Sequence, residues 1–172
     1  MNIEELNKVL LGWRGFFEEL NLPFIIYQSM CLGLIRNGTF LPERVAEFGV
    51  LYDDVLPHLD KLKTDPKYGF DHENEHLAPA GLMYFNNAEI QIVTFKNGKA
   101  VYNLYKHQCL VFDEDLLKRE NWTTYRYLGL DWKLPGWPER YLEQAYGKDW
   151  RTPYPTYHWQ KDAPNLVGWD EI

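Results

Sequence analysis

Cysteine is nearly absent: Cys31 and Cys109 are the only two among 172 residues. Two are too few for a disulfide scaffold and do not stand at metal-ligand spacing, so both read as reduced core thiols. Basic runs are missing as well. Lys and Arg number 18 against 25 Asp and Glu, a formal net charge of −7. Without clustered cations, general binding to a nucleic-acid backbone is not expected. No apolar run nears the roughly 18 to 20 residues that span a bilayer, so no transmembrane segment is expected. The opening Met1-Asn2-Ile3-Glu4-Glu5-Leu6 lacks the cationic start and apolar stretch of a signal peptide. These absences describe a soluble, cytoplasmic chain.

Aromatic rings are abundant, 16% of the residues, with 7 Trp and 12 Tyr. With 45% apolar and 25% charged residues the composition is globular, and the length suits one domain of about 150 residues with a tail. The rings crowd between Trp122 and Trp169, among Pro135, Pro138, Pro153, Pro155 and Pro164. Proline at that density excludes a long terminal helix, and so much ring surface does not stay in water. Residues 1–147 are therefore read as the core of a single domain. Residues 148–172 form an ordered, irregular strap that buries Trp150, Trp159 and Trp169.

From Ile3 to Leu20 apolar residues recur at steps of three and four, the pattern of an amphipathic helix, which Pro23 stops. Phe24 to Tyr27 reads as a short buried strand. Ser29 is placed to cap a helix to about Arg36, ended by Asn37-Gly38. Phe48 to Leu51 reads as a second strand, and Asp53 as the cap of a helix through Leu62. Leu82–Phe85, Glu89–Phe95 and Lys99–Tyr105, separated by Asn86-Asn87 and Lys96-Asn97-Gly98, read as an antiparallel meander. A short strand from Thr123 to Tyr127 and a helix from Pro138 to Tyr146, closed by Gly147, complete an α+β order with a mixed or antiparallel sheet flanked by helices.

His72-Glu73-Asn74-Glu75-His76 is a literal H-E-x-x-H. On a helix it would hold zinc between His72 and His76, with Glu73 placed to deprotonate water, and would make a zinc hydrolase. Gly69 before it and Pro79 after it argue against several helical turns, so it reads as a solvated, charged loop. A second candidate is the junction Tyr27-Gln28-Ser29-Met30. A helix starting just after a strand offers unpaired N–H groups to phosphate, and Glu47, one strand further on, is placed to hold a divalent metal beside it.

That junction also carries a resemblance. Leu22 to Arg36, with Phe40-Leu41-Pro42 and Phe48-Gly49-Val50, resembles the opening of the LicD/fukutin family: a strand, S-G-T-x-L-G-x-x-R, then a segment leading to D-x-D. The run Tyr141-Leu142-Glu143-Gln144-Ala145-Tyr146-Gly147-Lys148-Asp149-Trp150-Arg151-Thr152-Pro153, with Trp159 and Gly168-Trp169-Asp170-Glu171, is similar to the Y-L-E-x-x-Y-G-x-x-W-x-x-P and terminal W-D-E of its fukutin branch. The likeness spans about Leu10 to Ile172. It implies a nucleotidyltransferase-like fold and Mg²⁺- or Mn²⁺-dependent transfer of a phospho-alcohol, such as phosphocholine or an alditol phosphate. The donor would be CDP-activated and the acceptor a glycan.

The departures fall at the acids. The family's Gly-Thr stands here as Ser29-Met30, its D-x-D aligns with Ala46-Glu47 across a one-residue deletion, and its third acid falls at Gln91. Glu89 lies two residues earlier and so on the same strand face. The resemblance implies metal ligation by Glu47, Glu89 and Gln91, with the N–H groups near Ser29 and Met30, Arg36 and Arg151 holding donor phosphate. Apart from the resemblance, the basic and aromatic set Arg126, Lys148, Trp150, Arg151, Tyr154, Tyr157 and Trp159 has two readings: stacking a sugar or cytosine and neutralising phosphate, or core and strap packing with solvated charges. Two readings stand side by side: an active phosphotransferase, and a catalytically degenerate relative that binds a nucleotide, glycan or protein through the same cleft.

Overall fold

The computed structural model describes residues 1–41, 45–77, 81–103 and 108–172. Helix α1 (Ile3–Glu19) opens on a capping box: Asn2 accepts from the Glu5 N–H and Glu5 from the Asn2 N–H, each at 2.9 Å. It ends at Glu19, two residues before the left-handed Asn21, and buries Leu6, Leu10, Trp13, Phe16 and Phe17. Strand β1 (Ile25–Ile26) leads into α2 (Gln28–Asn37), closed by the left-handed Gly38, and then into β2 (Ala46–Leu51). The expected helix from Asp53 to Leu62 is broken into α3 (Tyr52–Val55), a 3₁₀ turn over Leu56–His58 and α4 (Leu59–Thr64). Pro57 has no N–H to donate back along the helix, and the break falls on it. Nor does Asp53 cap it; the N-cap is Leu51.

Strands β3 (Phe70–His76), β4 (Gly81–Phe85), β5 (Ala88–Lys96), β6 (Lys99–Asn103) and β7 (Gln108–Asp113) follow. The meander is thus as expected as far as Asn103, with β3 and β7 added to it; the expected end of its last strand, Leu104 and Tyr105, lies outside the described residues. The H-E-x-x-H segment is a correction: it lies in β3, a bulged strand that among the described residues pairs only with β4, not in a loop. His72 and Glu73 are exposed, and charged side chains suit a sheet edge. Next come β8 (Thr123–Tyr127) and β9 (Leu130–Leu134), a separate hairpin turning at left-handed Leu128 and Gly129. Helix α5 (Pro138–Tyr146) has Pro138 in its first turn and Gly147 at its end, as read from the sequence.

The strap contains α6 (Trp159–Asp162) and β10 (Leu166–Gly168), which adds to the sheet against β7. Of its tryptophans Trp150 is buried, whereas Trp159 and Trp169 are only half-buried, a partial correction. Cys31 and Cys109 are buried and reduced, as expected.

The sheet is antiparallel except at β2–β5, which run parallel with Glu47 opposite Glu89 and Gly49 opposite Gln91. The other edge of β5 pairs first with β4, along Glu89–Ile92, and then with β6, along Val93–Lys96. Successive residues of β2 alternate between faces. Phe48 joins the rings of Trp13, Phe17 and Phe24 on the α1 side. Glu47 and Gly49 face the other way, toward α2 and α5.

Candidate functional site

On that second face a cleft of about 940 Å³ opens where the start of α2, the β2–β5 pair and the strap meet. Glu47, Glu89 and Gln91 line it, as do Ser29 and Arg36, so five residues singled out from the sequence share one cavity. The parallel pairing explains the first three: Glu47 and Glu89 are register partners, and Gln91 follows Glu89 on the same strand face.

Helix α2 begins differently from expectation. Ser29 does not cap it; the N-cap is Tyr27, with no side-chain bond. The first four N–H groups of a helix need outside acceptors, and here the protein supplies all four. Tyr27 N–H donates to the Glu47 carbonyl at 3.3 Å and Met30 N–H to the Tyr27 carbonyl at 3.2 Å. Gln28 N–H donates to Tyr141 Oη at 3.2 Å. Ser29 N–H donates to Glu47 Oε2 at 3.0 Å, and the Ser29 hydroxyl donates to the same oxygen. The expected phosphate seat is therefore filled by the chain's own Glu47 carboxylate. Gln28 holds this junction in the left-handed region, φ +45°, an uncommon conformation for a residue with a side chain.

Gln91 is 2% exposed; its Nε2 lies 3.5 Å from Glu47 Oε1, and its Oε1 has no hydrogen-bond partner. Gln28 is 8% exposed and its Nε2 is likewise unpartnered. Burial raises the pKa of Glu89, partly opposed by a hydrogen bond from Gln91. Beside it the Tyr84 phenol is pushed up to about 12, first by burial and then by the Glu89 charge.

Other expected residues lie elsewhere. Met30 is fully buried beneath the cleft, its thioether accepting the Glu47 N–H at 3.1 Å, because its position on α2 faces the sheet. Arg151 sits outside, stacked 4.2 Å from the Trp150 ring and paired with Glu139 at 2.9 Å. Arg126 pairs with Asp131 on the β8–β9 hairpin, and Lys148 is exposed and does not line the cleft. Trp150, Tyr154, Tyr157 and Trp159 do line it. His72 is exposed, its ring 4.7 Å from Phe70, and His76 lies near Tyr84; neither reaches the cleft. On a strand they lack the helical spacing that wraps two imidazoles round one ion. Sequence reasoning missed Gln28, Tyr141 and Asp149. Only Gln28 carried a signal, as the residue between strand and helix.

Among the described residues no three His, Cys, Asp or Glu side chains gather round a common point. Glu47, Glu89 and the unpartnered Gln91 Oε1 are hard oxygen donors that fit one Mg²⁺ or Mn²⁺. Among the described residues a second ion is not provided for. The next position on the Glu47 face is Gly49, where a Cβ would come within 2.9 Å of Ile25 Cγ1 and 3.2 Å of the Tyr27 ring.

No family model and no curated protein sequence matches this chain. Among solved structures it is similar to a lincosamide antibiotic adenylyltransferase, LnuA, in its lincomycin-bound crystal form. The TM-score is 0.51 and the identity 13%, over 75% of this chain and 79% of that one. A likeness at that identity is one of fold. This chain has a nucleotidyltransferase fold, a mixed sheet flanked by helices, with its cleft at the strand-to-helix junction.

Proposed function

We propose that this protein is a metal-dependent phosphotransferase that moves a phospho-alcohol from a CDP-activated donor to a hydroxyl of a glycan acceptor. The observation that supports it most is the meeting of Glu47, Glu89 and Gln91 with the start of α2 in one cleft of a nucleotidyltransferase fold. The LicD/fukutin-like ends of the sequence narrow the donor to CDP-linked phosphocholine or alditol phosphate.

In this reading the acceptor oxygen bonds to the donor's outer phosphorus, the bond from that phosphorus to CMP breaks, and the acceptor proton passes to solvent. Glu47, Glu89 and Gln91 Oε1 would hold a divalent ion, which when bound neutralises charge developing on the phosphate. Glu47 then has two places to go: against Ser29, as here, or onto the ion with Glu89. In the second place it frees the Ser29 N–H and hydroxyl to donate to phosphate, with Arg36 adding a positive charge. Glu89, half-buried and shifted toward its neutral form by burial, gains from a cation that offsets the cost of burying its charge.

The test is turnover: CDP-linked alcohols incubated with Mn²⁺ or with EDTA, followed by chromatography for CMP. Release of CMP that needs the metal and is lost in Glu47→Gln supports the reading. A second reading, a binding module without catalysis, is favoured by the filled helix start and by Gly49. Donor binding without CMP release would establish it.

A further inference from the structure

The strap wall of the cleft has a charge opposite to the one a phosphate needs. Tyr146, Tyr154, Tyr157 and Trp159 line it together with Asp149. The Tyr157 ring lies 5.1 Å from Tyr146 and 6.3 Å from Tyr154, so the three form one continuous aromatic surface. Tyr154 stands 57% exposed and Asp149 is exposed beside Trp150. Arg151 of the same segment is held outside by Glu139, and Lys148 and Lys161 do not line the cleft. Among the described residues the charged groups lining the cleft are Glu47, Glu89 and Asp149 against Arg36. The helix start, the other natural anion site, is already occupied by Glu47.

Ring faces carry the negative part of the aromatic quadrupole, and a carboxylate among them reinforces it; both attract an organic cation and neither attracts a phosphate. The floor adds polar recognition. Gln28 Nε2 and Gln91 Oε1 are a buried donor and a buried acceptor left without partners, a loss that a ligand hydroxyl makes good. From these observations we propose that the strap wall is a subsite for the ammonium group of a hydroxylated organic cation, either an amino sugar or a small quaternary ammonium compound. Calling that molecule the acceptor rests on the phosphotransfer reading; the subsite itself does not.

The experiment uses the full chain without nucleotide or metal and follows tryptophan fluorescence and calorimetric heat. Glucosamine is compared with glucose, and tetramethylammonium with tert-butanol, so that each pair differs chiefly in charge. In at least one pair the cation is expected to bind about tenfold more tightly than its neutral counterpart, and added salt to weaken it. Preference confined to the glucosamine pair identifies an amino sugar, and preference confined to tetramethylammonium a quaternary ligand. Asp149→Asn, an exposed and near-isosteric change, is expected to remove most of the charge preference, and Tyr154→Ala to weaken the cation severalfold with an unchanged melting temperature. Equal binding of charged and neutral partners, no binding of either cation, or an unchanged preference in Asp149→Asn would overturn the subsite. In a separate titration with Mn²⁺ present, CDP-linked donors that fail to bind while the ammonium compounds succeed would remove the phosphotransfer reading and leave the subsite standing.

Discussion

Trp13 and Gln91 lie on opposite sides of the same sheet and are almost equally buried, at 1% and 2% exposure. Trp13 is surrounded by Phe16, Phe17, Tyr68 and Phe85, and its indole N–H donates to Asn87 at 2.9 Å. Gln91 leaves a carbonyl oxygen without a partner, and Gln28 nearby leaves an amide nitrogen. A buried polar group without a partner is costly, so the α1 side is built for stability and the cleft side carries a cost that a ligand can offset.

The widest separation between the two sides comes from the rings. Trp13→Ala should cost roughly 3 to 5 kcal/mol in urea unfolding, the usual range for a fully buried tryptophan. Trp159→Ala and Trp169→Ala, half-buried on the strap, should each cost less than half of that. A Trp159→Ala loss as large as that of Trp13→Ala would erase the distinction.

Polar changes should split in sign. Asn87→Ala leaves the Trp13 indole N–H unsatisfied and is expected to cost about 1 to 3 kcal/mol. Gln91→Met removes a buried amide whose carbonyl oxygen has no partner and whose Nε2 contact to Glu47 is long, and should leave the unfolding midpoint unchanged or raised, while weakening ligand binding in the cleft. Gly49→Asp should not restore a second acid to β2. Its Cβ meets Ile25 and the buried Tyr27 ring, and overpacking there should cost about 1 to 3 kcal/mol.

The smallest effects are pH effects of opposite sign. Burial raises the Glu89 pKa in the folded state, so its stabilising contribution is full below about pH 4, the unfolded value, and lost as pH rises through the folded one. Glu89→Gln should therefore be more stable than wild type at pH 7, with the gap closing on acidification. Lys99, then Arg140 and Gln144, hold the Asp113 pKa well below its usual range. Asp113 therefore contributes above about pH 4 and loses that contribution as pH falls. Because this group is partly in water, salt should shrink the effect of Asp113→Asn.

The same division shows in what could be read from sequence. The α1 side was legible because its apolar residues recur at helical spacing and Asn-Gly marks the β5–β6 turn. Helix α5 was legible from Pro138 and Gly147. Strand β3 was missed because an edge strand clothed in His and Glu looks like a solvated loop. Strand β9 was missed because Leu130, Trp132 and Leu134 alternate within a stretch dominated by proline and aromatic signals. At the site, Glu47, Glu89 and Gln91 were singled out from the sequence, and all three line one cleft. The closure of α2's first N–H groups by Tyr141 and Glu47 was not, since those bonds join residues 113 and 18 positions apart. The outward turn of Arg151 likewise depends on its ion pair with Glu139 and its stacking on Trp150, which composition does not encode.

The central claim is that Glu47 exchanges Ser29 for a metal ion and so opens the cleft to phosphate. Calorimetric titration of CDP into the full chain with Mn²⁺ and with EDTA tests it directly. Wild type should bind only with Mn²⁺, and at 100 times the dissociation constant should gain about 2.7 kcal/mol of stability. Glu47→Gln should fold normally and lose that binding. If CDP binds equally with EDTA, binds under neither condition, or binds Glu47→Gln as tightly as wild type, the exchange does not occur and the account is contradicted.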